Sequence, residues 1–85
     1  MYSDKYIDLA KRALEIYLNG AVNPIPLTRI VSELMEESKA QGGCSINASI
    51  YAPVRLILAQ LNYLMGGGIG TYDKIDEDIQ FVEGL

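Results

Sequence analysis

The apolar and polar positions of the chain fall into three stretches with helical spacing and one that alternates. The most apolar stretch is PVRLILAQLNYLMGGG, Pro53 to Gly68. At about 100° per residue, Val54, Ile57, Leu58, Leu61, Leu64 and Met65 share one stripe, the pattern of a core-facing helix. The opposite side carries Leu56, Ala59 and Tyr63, leaving only Arg55, Gln60 and Asn62 as polar positions. A helix apolar nearly all round is buried nearly all round. Eighty-five residues can hardly enclose a helix completely, so part of that second face is expected to meet another subunit or another protein.

Upstream, KYIDLAKRALEIYLNG has a clear helical period. Ser3 or Asp4 is placed as N-cap, and Asn19-Gly20 forms a left-handed stop. Tyr6, Ile7, Ala10, Ala13, Leu14, Tyr17 and Leu18 make its main stripe, and Leu9 and Ile16 widen it. Asp8 with Arg12 and Lys11 with Glu15 are spaced four apart on the polar arc. In AVNPIPL the two prolines favour extended conformations at Asn23 and Ile25, which predicts one very short edge strand over Ile25 to Leu27. Thr28 then caps a second amphipathic helix running to Ala40, with Ile30, Val31, Leu34 and Met35 inward and Gly42-Gly43 following as its stop. The start of the third helix is open between Ser45 and Ser49. A start near Ser49 puts Pro53 in the first turn, where it does little harm, whereas a start at Ser45 predicts a kink.

After the glycines, Ile69, Thr71, Tyr72 and Ile75 lie on one side of an acidic DED run, and Ile79, Phe81 and Val82 lie on the other. That spacing is read as two short strands joined by a turn. The order helix, short extended piece, helix, longer helix and C-terminal hairpin resembles the winged-helix domain over Ser3 to Leu85. The resemblance implies a mainly α single domain over residues 1–85, with three helices and a small β-hairpin as the wing. It also implies a recognition helix over Ser49 to Met65. Winged-helix proteins that bind DNA present basic and polar residues from that helix and the wing. Here the wing offers Lys74 among Asp73, Asp76, Glu77 and Asp78, which repel a phosphate backbone.

Composition narrows the function further. Charged residues make up 21% and apolar residues 49%, normal for a compact fold. The net charge is −4, and seven basic residues are scattered along the chain, unlike the basic face of a nucleic-acid binder. With no histidine and one cysteine, neither a Cys-based metal site nor a Ser or Cys nucleophile with an evident base can be assembled. Neither a cofactor nor a metal is therefore expected. Cys44 is read as a loop thiol without a chemical role, and the sequon at Asn47 as chance. The acidic cluster lacks the ligand alternation of a calcium loop. The glycines of GGGIG follow a helix instead of opening one, which excludes a phosphate loop. MYSDKYID lacks the pattern of a secretory signal and no stretch is long enough to span a bilayer, so a cytoplasmic location is expected.

The leading expectation is a non-enzymatic protein-interaction module, homodimeric, with Leu56, Ala59, Tyr63, Leu9 and Ile16 at the interface and Tyr51 as an extension. One alternative is a DNA-binding regulator using Arg55, Arg29, Lys39 and Lys74. The other is an acidic inhibitor or decoy, from a virus or mobile element, that engages a host protein through the wing.

Overall fold

The computed structural model describes residues 2–20, 22–67 and 72–85. Among these residues are four α-helices: α1 (Asp4–Asn19), α2 (Pro24–Ala40), α3 (Ala52–Leu64) and α4 (Ile75–Glu83). A 3₁₀ turn over Ser49–Tyr51 leads into α3.

The first helix starts and stops where its sequence says. Ser3 accepts a bond from the Tyr6 amide through its side chain, satisfying one of the free donors of the first turn. Gly20 ends the helix at φ 65°, a left-handed conformation that glycine adopts without steric penalty.

The second helix begins earlier than expected. Asn23 is its N-cap, accepting from the Ile25 amide at 3.1 Å, and both prolines lie in the first turn. Proline is harmless there because the first-turn amides have no intrahelical partner. The edge strand over Ile25 to Leu27 is therefore replaced by helix, and Thr28 donates to the Ile25 carbonyl at 2.8 Å from inside it.

The third helix confirms the later start: Pro53 sits in its first turn and no kink is required. One carbonyl, that of Ile50 in the 3₁₀ turn, joins three elements. It accepts from the buried Tyr6 hydroxyl at 2.6 Å and from Ser38 Oγ at 3.4 Å. At the same end of the molecule the Ser3 amide donates to Gln41 Oε1 at 2.7 Å. So α1 begins where α2 ends, and α3 begins there too and runs back toward the α1–α2 turn.

The expected hairpin is corrected. Ile69 and Thr71 lie outside the described residues, and the remainder, from Tyr72 onward, forms a turn and the helix α4. Among the described residues there is no strand, so neither a wing nor the winged-helix architecture fits. The physical reason is visible in the spacing. Ile75, Ile79 and Val82 stand at i, i+4 and i+7, a helical stripe, and Asp76, Glu77 and Asp78 occupy the first turn, where the helix dipole favours negative charge.

The four helices share one core, in which α3 packs on α1, α2 and α4. The radius of gyration, 11.8 Å, matches the roughly 12 Å expected of a packed chain of this length.

Candidate interaction surface and the Arg55 cluster

Because three helices pack on α3 where two were expected, its buried arc is wider and turned. Ala52, Pro53, Val54, Leu56, Ile57, Gln60 and Leu61 are all buried. Relative to the sequence stripe this is a rotation of roughly 75° on a wheel of about 100° per residue. Leu56 moves inside with no exposed surface, while Leu58 and Met65 move out.

The open face of α3 consists of Leu58, Ala59, Asn62, Tyr63 and Met65. Leu58, Tyr63 and Met65 are 43%, 56% and 76% exposed, and Ala59 is half-buried between them. Single exposed apolar residues are ordinary on protein surfaces. Here one arc of the helix carries these apolar residues with Asn62 among them and Arg55, engaged elsewhere, between Asn62 and Ala59 on the wheel. Leu18, Val22 and Ile25 at the α1–α2 turn are also exposed.

The expected interface is thus redistributed. Tyr63 and Ala59 lie on the open face, whereas Leu56, Leu9 and Tyr51 are core residues and Ile16 packs half-buried against the core. Leu56, Leu9 and Tyr51 offer no free surface, and Ile16 offers only part of its own. The missed positions, Leu58 and Met65, lie at one edge of the apolar stripe; helical spacing alone does not say which edge a neighbour will cover.

A polar cluster lies on the α3–α4 contact. Arg55 donates from Nε and Nη2 to the two carboxylate oxygens of Asp78 at 2.8 and 2.7 Å, the bidentate geometry of the stronger ion pairs. Its Nη1 reaches the Ile46 and Ala48 carbonyls at 2.6 and 3.0 Å. The Tyr72 hydroxyl donates to Asp78 Oδ2 at 2.6 Å. The side chains are 15% and 5% exposed for Arg55 and Asp78, so this pair is withdrawn from water. The hydrogen bond to Asp78 raises the Arg55 pKa further. Burial, and then the bond to Asp78, push the Tyr72 phenol above its ordinary value, which keeps it a proton donor. Burial does the same for Tyr6, helped by Tyr2.

This cluster corrects two expectations at once. Asp78 belongs to the interior of α4 and not to an acidic wing, while Asp73, Asp76 and Glu77 are exposed on the turn and first turn of that helix. Arg55 is fully engaged, leaving Arg29, Lys39 and Lys74 as the exposed members of the set proposed for DNA. A signal was present in the sequence. Read as helix, Asp78 falls on the Ile75–Ile79–Val82 stripe, and a carboxylate on a buried stripe calls for a cationic partner.

Chemistry beyond these contacts is sparse. Among the described residues no group of three metal-ligating side chains comes together, and none of their helices is long and apolar enough to cross a membrane. Cys44 is exposed and donates to the Gly42 carbonyl at 3.3 Å. It lines a shallow depression with Ser45 and Ser49, where no base stands beside either hydroxyl. A second open groove has Leu14, Leu18 and Val82 as its floor and Lys11, Glu15 and Glu83 at its rim. Comparison with protein-family models, with curated proteins and with solved structures gives no match.

Proposed function

We propose that this chain is a small all-helical protein-interaction domain, without catalytic chemistry of its own, which pairs with a second copy through the open face of α3. The observation that carries this reading is the exposure of Leu58, Tyr63 and Met65, flanking Ala59 and Asn62, on a helix whose opposite arc is already packed. Apolar area removed from water contributes about 25 cal/mol per Å², and pairing two such faces removes it on both. A C2 arrangement puts the same residues on each side, with tyrosine and methionine being residue types enriched at the centre of interfaces. The absence of histidine supports the non-catalytic part of the reading, since general-base chemistry near neutral pH rests most often on that side chain.

The DNA-binding alternative draws less support, because Arg55 is committed to Asp78 and two backbone carbonyls.

Sedimentation over a range of concentrations tests the proposal. The parent chain is expected to reach twice the monomer mass, and Leu58→Asp and Tyr63→Asp are expected to remain monomeric with unchanged far-UV circular dichroism. A parent that stays monomeric at high concentration, or variants that keep the parent's mass, would refute it.

A further inference from the structure

The last helix is held in a way that does not depend on its belonging to the same chain. α4 has nine residues, fewer than the roughly 12–15 an isolated helix needs to be stable in water. Its helical form therefore depends on docking. It docks as an amphipathic helix in a groove. Val82 enters the core, Ile75 and Ile79 pack against it, and on the flank Asp78 takes the bidentate pair from Arg55. Tyr72 adds its hydroxyl to the same carboxylate. Apolar anchors give this contact its affinity, and one charge-assisted fork fixes its register.

All of the specificity lies within residues 72–85 and the groove of α1 and α3. The seven residues 65–71 that precede this unit reach roughly 23–25 Å when extended, comparable to the 25 and 21 Å widths of the domain.

We propose that the α1–α3 groove beside Arg55 is a docking site for an acidic amphipathic helix, and that it accepts the C-terminal helix of a second copy by reciprocal exchange. Charge complementarity selects this occupant. A helix entering the groove needs a carboxylate one turn into its apolar stripe to meet Arg55, and residues 75–83 provide it. Exchange of an identical element between protomers preserves every contact of the closed monomer. This proposal does not rest on pairing through the open face of α3.

Charge reversal tests it. Arg55→Asp and Asp78→Arg each put like charges together within one chain and within a dimer of that chain alone. Mixed in equal amounts, they restore opposite charges at both grooves only by exchanging helices. The expected result by native mass spectrometry is a one-to-one heterodimer, absent from either chain alone, with recovery of any helix content lost singly. The mixing is done with Leu58→Asp present in both chains, so that the open face of α3 makes no contribution and the two proposals can fail separately.

A second measurement titrates a fluorescent peptide of residues 72–85 into the Asp78→Arg chain, whose own helix is repelled while its Arg55 remains. Saturable one-to-one binding is expected, weakened at least ~10-fold when the peptide carries Asp78→Asn. A mixture that remains two separate species, together with a peptide that does not saturate, would overturn the proposal.

Discussion

Removal of the Arg55 guanidinium is expected to be among the most destabilising changes in the chain. In Arg55→Met the aliphatic stem is kept, but Asp78 loses both guanidinium bonds and retains the Tyr72 hydroxyl. The Ile46 and Ala48 carbonyls lose a donor as well. With the carboxylate side chain 5% exposed, this is the case of one ion left buried after its partner is removed, which costs about 3–5 kcal/mol. At 0.05–0.15 kcal/mol per residue, 85 residues give a total stability of roughly 4–13 kcal/mol. The loss is therefore about a quarter of the total or more. With a urea slope of about 1–1.5 kcal/mol per M, the midpoint falls by roughly 2–5 M.

Asp78→Asn is expected to lose less, about 1.5–3 kcal/mol, because Arg55 keeps two carbonyls and the amide oxygen remains an acceptor. The double variant Arg55→Met with Asp78→Leu is expected to be more stable than Arg55→Met alone, since it leaves no charge behind. Urea unfolding followed by circular dichroism, with the slopes compared, measures all three. An Arg55→Met loss below about 1 kcal/mol, or a double variant less stable than the single one, would refute the reasoning.

Leu56→Ala is expected to cost about 2–5 kcal/mol, as a core truncation, against under ~0.5 kcal/mol for Leu58→Ala on the open face; chemical denaturation of the pair checks the rotated core of α3. Gly43→Ala is expected to cost about 1–3 kcal/mol, because a β-carbon there would lie 2.8 Å from the Ser38 carbonyl oxygen and 2.8 Å from the Tyr51 ring; thermal melts read the loss. Tyr6 and Tyr72 are raised above their ordinary value of 10.0 in the fold. Above that pH the unfolded chain releases protons that the folded chain keeps. Their contribution is therefore whole below pH 10 and declines as pH rises, by up to about 1.4 kcal/mol per pH unit for each tyrosine. Urea midpoints measured from pH 9 to 11.5 should show that decline, and Tyr6→Phe should make it shallower.

What was legible in the sequence is what local chemistry decides. Ser3, the stripe from Tyr6 to Leu14 and Asn19-Gly20 define α1 without reference to the rest of the molecule. Pro53 marks the first turn of α3 in the same way. Two local signals were ambiguous because one residue type serves two conformations. Pro24 and Pro26 suit an extended edge as well as a first helical turn, and an Asn23 cap decides between them. Ile75, Ile79, Phe81 and Val82 suit short strands or a helix, and the acidic first turn favours the helix. The open face was displaced for a different reason. Which edge of α3 is covered depends on where α4 docks, and that depends on the pairing of Arg55 with a residue 23 positions away.

The Ile50 carbonyl also constrains the order in which the chain assembles. Its two donors lie at very different distances along the sequence, 12 residues for Ser38 and 44 for Tyr6. Loop closure scales as three-halves RT times the logarithm of loop length, so closing the longer loop costs about 1 kcal/mol more. The α2 turn onto Ile50 therefore closes first, and the Tyr6 hydroxyl arrives at a carbonyl already held in place. Folding would then nucleate in the middle of the chain, with the first helix docking onto a preformed α2–α3 corner.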